Sequence, residues 1–201
     1  MNKKRGFTLI ELMITVVIVT VFATIAIPSY QQYMERRDLA IARQEALRIA
    51  AELERFKVKN FSYKGFDASY LYAYTSTNAE GNTTTASYYN PATGQLLLPI
   101  GSTTSTAKYT LTLVSGGAGH KPLTFAKGSD GKETADSASV NGLSWVISVQ
   151  RAKDSGSPPR SKNPRNYDLL VTSIGMRCMT KTEDVVTEYT SCGDANNSES
   201  W

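Results

Sequence analysis

The feature that most constrains the fold is an apolar run close to the N-terminus. Residues 7–27 are all apolar or Thr except Glu11; cations at residues 3–5 precede them and Pro28 follows. A helix of this length spans roughly 30 Å, the thickness of the hydrocarbon core of a bilayer. The cations hold the N-terminus on the cytoplasmic side, so the chain after Pro28 is expected on the other side. A secretory signal is disfavoured, because the run is long and its end offers a poor cleavage site.

Glu11 does not suit a permanent membrane span. An ionisable side chain inside lipid costs about 2.5 to 3.5 kcal/mol on insertion scales, less near the interface, and usually has a partner. The run contains no cation, and Arg5 falls on nearly the opposite side of a helix. Cleavage between Gly6 and Phe7 would create an α-amino cation four residues from Glu11. That amine, from its own chain or from a neighbouring chain, is a suitable partner for the carboxylate.

The residues around this acid resemble the start of type IV prepilins. The stretch KRGFTLIELM at 4–13 carries the resemblance, and IPSYQ at 27–31 extends it to the type IVa branch. The resemblance implies that a membrane-embedded prepilin peptidase cuts between Gly6 and Phe7 and methylates the nitrogen of Phe7. It also implies that Glu11 offsets the amine of an adjacent subunit in a helical filament. Other pilins, the inner membrane and the inner-membrane pilus assembly platform are then the expected partners.

The segment after Pro28 is expected to continue the first helix. It is rich in Ala, Leu, Glu and Arg, which favour helices. Its apolar residues recur at steps of three and four, which predicts an amphipathic helix; they are Leu39, Ala42, Ala46, Ile49, Leu53 and Phe56. A helix from Phe7 to Phe56 would be roughly 75 Å long, so that half of it projects from the head. Pro28 is expected to kink it.

Beyond Asn60 the pattern changes from helix to sheet. Residues 63–106 form a polar, Tyr-rich tract without helical period, which predicts a long surface loop with short strands. Its tyrosines alternatively form a contact surface, because their rings offer area at low entropic cost. Alternating runs at 109–113, 144–150 and 167–172 predict strands, and 176–180 is a fourth candidate after the Gly175 turn. Glycine-rich connections favour antiparallel pairing.

The expected fold class is α+β. A long N-terminal helix, with a projecting transmembrane half and an amphipathic half, packs on an antiparallel β-sheet head as in pilins. The expected segments are a leader peptide at 1–6, a transmembrane and assembly helix at 7–28, an amphipathic helix at 29–60, a variable helix-to-sheet loop at 61–108, an antiparallel sheet at 109–177 and a disulfide-bounded C-terminal region at 178–201.

Cys178 and Cys192 are the two cysteines of the chain. In a reducing cytosol such a pair stays as thiols or binds a ligand, whereas in an exported protein it forms a disulfide. With the head in the periplasm, the disulfide is expected, and its place matches the C-terminal region of type IVa pilins. Closing a loop of this size stabilises the fold by around 3 kcal/mol in the chain-entropy model.

The head shows no pattern typical of an enzyme. His120 is the single histidine, which excludes a zinc site built from several histidines and leaves no alternative for a histidine relay. Asp130, Glu133 and Asp136 lie in one polar loop, but their spacing differs from a calcium-binding loop. We therefore expect a noncatalytic chain with no cofactor and no metal.

A basic cluster between 151 and 165 is the remaining candidate site. Its cations are Arg151, Lys153, Arg160, Lys162 and Arg165. They form either a solvated loop between two strands or a set of DNA contacts, since a few phosphate contacts give weak, salt-dependent binding. No aromatic residues lie among them to stack bases, so nucleic acid is the weaker alternative.

These observations together predict a pilus subunit. The expected function is that of a minor pilin, similar to PilE-type minor pilins, in the initiating or tip complex of a type IV pilus. Before assembly the chain would lie in the inner membrane with a periplasmic head, and afterwards at the cell surface. The alternatives are a major or DNA-uptake pilin, a type II secretion pseudopilin, against which the cysteine pair weighs, and an exported enzyme with an uncleaved anchor.

Overall fold

The structure is a computed structural model that describes residues 8–77, 81–125, 132, 134–194 and 196–201. Within these residues it contains one long helix, a two-stranded sheet and a seven-stranded antiparallel sheet. The expected α+β, pilin-like architecture is confirmed. The chain divides into two compact units, residues 1–37 and 38–201, which are described separately below.

The N-terminal unit is the first part of helix α1, which extends from Leu9 to Asn60. Its apolar side chains are exposed, and α1 is long and apolar enough in this part to cross a membrane, by length and composition. The hydroxyls of Thr15, Thr20 and Thr24 each donate to the carbonyl three residues earlier. These polar groups are thereby satisfied within the helix, as a lipid environment requires. The helical conformation continues through Pro28, where the kink stays a prediction.

The second unit begins with the remainder of α1, which packs on the large sheet. Its buried apolar residues are Ala42, Ala46, Ile49 and Leu53, while Leu39 and Phe56 are partly buried against the same core. The predicted apolar stripe is therefore confirmed. Its spacing places these side chains on one face of the helix, which buries them against strands β5 to β7 defined below.

The strands follow one another in simple order. The large sheet runs β3-β4-β5-β6-β7-β8-β9 with antiparallel neighbours, and β1 pairs with β2 in a separate hairpin. The bounds are β1 Ala73–Thr77, β2 Thr83–Ser87, β3 Tyr89–Asn90, β4 Gln95–Leu98, β5 Tyr109–Ser115, β6 Trp145–Arg151, β7 Asp168–Thr172, β8 Arg177–Thr180 and β9 Ser198–Ser200. A short helix, α2, spans Ala135–Ala138, and 3₁₀ helices span Ala68–Tyr72 and Val185–Glu188.

The two faces of the large sheet bury different partners. The face toward α1 holds the main core, to which alternate residues of β5, β6 and β7 contribute. On the opposite face Val114, Val146 and Leu170 pack against Val186 and Cys192. The C-terminal region thus covers a second, smaller core, because the strands place successive side chains on opposite faces.

Candidate functional site

Glu11 takes part in the start of its own helix. Thr8 immediately precedes α1, and the backbone N–H of Glu11 donates to the Thr8 hydroxyl oxygen at 3.3 Å. This contact is one half of a capping box, in which Ser or Thr is followed three residues later by Glu. A carboxylate in the first turn also interacts favourably with the helix dipole. Helix capping at Thr8 and Glu11 was not predicted from the sequence, although the pattern Thr-x-x-Glu before an apolar run is a known signal for it.

The other residues of the expected processing site are Gly6 and Phe7, and both lie outside the described residues. Cleavage between them and methylation of Phe7 therefore stay predictions. The Glu11 side chain is exposed. Its pairing with an amine likewise stays a prediction.

Cys178 and Cys192 are joined in a disulfide. Cys178 lies on β8, while Cys192 is buried and follows the 3₁₀ helix Val185–Glu188. Val186 is fully buried in the same cluster, with Leu170 of β7 beside it. The disulfide thus fastens a segment that lacks extended secondary structure onto the outer face of the sheet.

Arg151, a candidate DNA contact, is buried. Its Nε donates to Asp168 Oδ1 at 2.9 Å, its Nη2 to Oδ2 at 3.2 Å, and its backbone N–H to Oδ1 at 2.7 Å. The guanidinium also donates to the carbonyls of Pro164 and Lys181. Burial raises the pKa of Asp168, and the hydrogen bonds and charge of Arg151 oppose that rise. A solvated loop and a set of DNA contacts, the two alternatives for the cluster, both require exposed cations, so both are corrected at Arg151, which is buried and links the loop to the sheet.

Two further cations of the cluster also make contacts within the head. Lys153 Nζ lies 2.7 Å from both carboxylate oxygens of Asp184 and 3.9 Å from Glu183. Lys162 Nζ donates to three carbonyls of one loop, those of Thr104, Ser105 and Ala107. Arg160 and Arg165 are exposed. DNA contact by the members at the surface stays a prediction.

Tyrosines of the helix-to-sheet region fasten it to α1. Three of them donate their hydroxyls to glutamates of the helix: Tyr63 to Glu54 at 2.8 Å, Tyr70 to Glu52 at 3.2 Å and Tyr72 to Glu45 at 2.7 Å. The indole N–H of Trp145 also donates to Glu54. Tyr63, Tyr72 and Tyr89 are buried, whereas Tyr70, Tyr74 and Tyr88 are exposed. Half of these tyrosines therefore belong to the core, and the others remain available as surface.

The structure describes only part of the region around the candidate metal and histidine residues. Among the described residues no group of three or more His, Cys, Asp or Glu side chains is placed to hold a metal. The His120 ring packs on Tyr189 with centroids 4.9 Å apart, and its Nδ1 lies 3.2 Å from the Ser115 carbonyl. Asp130, Glu133 and the Asp136 side chain lie outside the described part of the chain.

Comparison with known proteins finds a family motif at the N-terminus and several relatives over part of the chain. Residues 1–27 match the prokaryotic N-terminal methylation motif. The chain is 50% identical to a fimbrial protein of Pseudomonas aeruginosa over 54 residues, 26% of this chain and 35% of the relative. It is 34% identical to type II secretion system core protein G of P. aeruginosa over 62 residues, 31% of this chain and 44% of that relative.

A longer match extends into the head. The chain is 32% identical to the type IV major fimbrial protein FimA of Dichelobacter nodosus over 99 residues, 47% of this chain and 61% of the relative. The chain thus matches less than two thirds of the length of each of these relatives. No solved structure matches the chain.

Proposed function

We propose that this chain is a subunit of a type IV pilus that is processed by prepilin peptidase and assembled through α1. The observation that carries the proposal is the methylation motif at residues 1–27. The same residues lead into a helix whose apolar side chains are exposed along its first part. The similarity to fimbrial proteins and the pilin-like head further support this function.

In this proposal the apolar part of α1 is shielded from water in two successive environments. An exposed apolar surface of this size is stable either in lipid or against other apolar helices. In the proposed pathway α1 first lies in the inner membrane with the head in the periplasm. The assembly platform then transfers it into the core of the fibre, which brings the head to the cell surface. The chain acts as a substrate of the peptidase and as a building block, and not as an enzyme.

We further propose that the subunit is a minor pilin of the initiating or tip complex. The resemblance of residues 28–56 to PilE-type minor pilins supports this role. The matched relatives include a major fimbrial protein, so copy number is the decisive measurement. A minor pilin is expected in small amounts relative to the principal subunit of the same fibre.

The test is intact-mass analysis of protein from fibres sheared off the cell surface. The expected chain begins at Phe7 and carries one methyl group, and its abundance relative to the other subunits assigns it as minor or major. A matched Gly6→Val variant, which alters the residue before the cut, is expected to stay uncleaved in the membrane fraction. Wild-type chain found only in membranes with its N-terminus intact would refute the proposal.

A type II secretion pseudopilin is the second candidate function. The similarity to core protein G favours it. Deletion of the coding sequence separates the two functions, because loss of surface fibres is expected for a pilin and loss of protein secretion for a pseudopilin.

A further inference from the structure

Three apolar side chains are exposed on adjacent loops of the head. Phe61, Leu143 and Ile174 are 89%, 72% and 80% exposed. Phe61 directly follows α1, Leu143 precedes β6, and Ile174 lies in the turn from β7 to β8. Turns and loops ordinarily carry small or polar residues at such positions. These three residues form the apolar loop surface of the head.

Backbone hydrogen bonds hold the three loops side by side. The N–H of Tyr63 donates to the Gly142 carbonyl at 2.9 Å, which joins the loop after α1 to the loop before β6. The N–H of Ser173 donates to the Trp145 carbonyl at 3.0 Å, and the N–H of Trp145 donates to the Ser173 hydroxyl at 3.2 Å. The start of β6 is thereby joined to the turn from β7 to β8. The apolar loop surface is therefore one continuous region at the end of the head where α1 finishes.

The backbone at Phe61 has a conformation that favours glycine. Its φ is +58°, in the left-handed region, and its N–H donates to the Lys57 carbonyl at 2.7 Å. Helices commonly end on a residue in this conformation, usually Gly or Asn, because a larger side chain is strained there. Phe61 thus strains the backbone and also exposes a ring to water. Strain retained at an exposed aromatic residue points to a function for the side chain.

Cations accompany the apolar loop surface. Residues 56–65, 141–145 and 173–177 contain no acidic residue. Their cations are Lys57, Lys59, Lys64 and Arg177. Lysine is depleted at protein–protein interfaces. Lys and Arg beside exposed aromatic and aliphatic residues are instead typical of surfaces that bind anionic lipid.

We propose that the apolar loop surface inserts into the headgroup region of a bilayer that contains anionic lipid. Phe61, Leu143 and Ile174 enter the boundary between headgroups and acyl chains, where their apolar area leaves water. Lys57 and Lys59, both exposed, contact lipid phosphates. The apolar residues supply the affinity, and the cations supply the preference for negatively charged membranes. In a subunit at the tip of a fibre, this contact attaches the fibre to a membrane.

The experiment uses the full chain held in nanodiscs of phosphatidylcholine, so that α1 has a bilayer of its own and the head can bind a second one. The nanodiscs are immobilised through their scaffold protein, and surface plasmon resonance measures the capture of vesicles. Vesicles that contain phosphatidylglycerol are expected to be captured at least about tenfold more than vesicles of phosphatidylcholine alone. Empty nanodiscs give the background.

The sharpest variant is Phe61→Gly, because glycine suits the left-handed backbone and removes the ring. Combined with Leu143→Ser and Ile174→Ser, it is expected to lower the capture of phosphatidylglycerol vesicles at least about tenfold. Urea unfolding of Phe61→Gly alone is expected to stay close to that of the wild type, which shows that the fold is intact. The matched control is Ile100→Ser. Ile100 is also exposed, but it follows β4 at the end of the sheet where β6 finishes, and its loss is expected to leave capture unchanged.

A second pair of variants tests the cations. Lys57→Gln with Lys59→Gln is expected to lower the preference for phosphatidylglycerol vesicles about tenfold and to weaken its dependence on salt. Arg160→Gln with Arg165→Gln changes the net charge of the chain equally. These two exposed cations lie between β6 and β7, beyond the opposite end of the sheet, and their loss is expected to keep the preference.

The outcomes separate membrane binding from a protein contact and from the proposed function. Equal capture of the two kinds of vesicle overturns the inference, and so does unchanged capture by the triple variant. Capture of neither kind overturns it too, and depletion of Phe61→Gly from sheared fibres would then assign the surface to contact with a neighbouring protein subunit. Because capture is measured without fibres, absence of the chain from every fibre overturns the proposed function alone.

Discussion

At the scale of single residues, the buried ion pair between Arg151 and Asp168 joins the end of β6 to the start of β7. Removing one partner of such a pair leaves an uncompensated charge in the interior. Arg151→Met is therefore expected to lower the free energy of unfolding by about 3 to 5 kcal/mol. Urea unfolding of the full chain in detergent, followed by near-ultraviolet circular dichroism, measures the loss.

The matched controls separate the buried charge from the loss of a cation as such. Exposed Arg160→Met is expected to change the same quantity by less than about 0.5 kcal/mol. The double change Arg151→Met with Asp168→Asn is expected to recover part of the stability, because it removes the unpaired charge and keeps an acceptor for the backbone N–H of residue 151. Equal effects of Arg151→Met and Arg160→Met would contradict the burial of Arg151.

Tyr72 is expected to make the free energy of unfolding fall as the pH rises into the alkaline range. Burial raises its pKa, and the hydrogen bond to Glu45 adds to the rise. Above the ordinary tyrosine pKa of about 10 the unfolded chain ionises at this position while the folded chain does not. The stabilisation is thus complete below that pH, and about 1.4 kcal/mol of it is lost per further pH unit.

The measurement is the free energy of unfolding between about pH 8 and pH 11 for wild type and Tyr72→Phe. The variant is expected to be less stable at neutral pH, where Glu45 loses a donor, and to show a shallower alkaline decline. Buried Tyr89 and Tyr109 have raised pKa values too and keep part of the decline in both proteins. Parallel curves for the two proteins would show that Tyr72 does not titrate differently on folding.

These pairings could not be predicted from sequence for a physical reason. Arg151 lies among other cations in the chain, but its partner Asp168 is 17 residues away and comes close only through antiparallel pairing of β6 and β7. Tyr72 is likewise 27 residues from Glu45. The local sequence pattern indicates which face of a helix or strand a residue occupies. The partner of a side chain such as Arg151 or Tyr72 depends instead on how distant segments pack together.

At the scale of elements, periodicity predicted the parts that build the core. The apolar stripe of α1 and the alternating runs of β5, β6 and β7 are buried in the core. Their apolar residues therefore repeat with the period of a helix or of a strand, which made these elements predictable. Short strands were expected between residues 63 and 106, but the bounds of the β1–β2 hairpin and of β3 were not predicted, and β9 was not expected. Their residues are mostly polar, and exposed strands have no apolar alternation to reveal them.

The segment between Cys178 and Cys192 is attached to the sheet by the disulfide and by a small apolar core. Cys178 and Cys192 are 14 residues apart, and a loop of this size is stabilised by about 3 kcal/mol. The Cys178→Ser/Cys192→Ser double variant is expected to lose roughly this amount, read from urea unfolding of the full chain. Reductant is expected to destabilise the wild type similarly and to leave the double variant unchanged. Insensitivity of the wild type to full reduction would contradict a stabilising role for the bond.

At the scale of the whole molecule, the proposed function requires the N-terminal segment to lie first in a membrane and then in an assembly. Lipid satisfies the apolar side chains of α1 but gives Glu11 nothing to pair with. At the helix start the Thr8 hydroxyl accepts the backbone N–H of Glu11, and the helix dipole favours a carboxylate in this first turn without requiring another chain. Two explanations for Glu11 thus coexist: stabilisation of the helix start, which acts in the single chain, and a charge partner, which acts between subunits.

Glu11→Gln separates these explanations, because glutamine at the third helical position also completes a capping box but carries no charge. Thr8→Ala makes the reverse change, since it removes the capping hydroxyl and keeps the carboxylate. If the charge guides assembly, Glu11→Gln is expected to be cleaved and methylated normally yet to be at least about tenfold depleted from sheared fibres, the equivalent of about 1.4 kcal/mol. Thr8→Ala should then enter fibres at close to the wild-type level.

Depletion of Thr8→Ala with normal incorporation of Glu11→Gln would assign the acid to helix capping and refute charge pairing. Quantitative mass spectrometry of the fibre and membrane fractions measures both variants, and the cleaved N-terminus in the membrane fraction shows that each variant was processed.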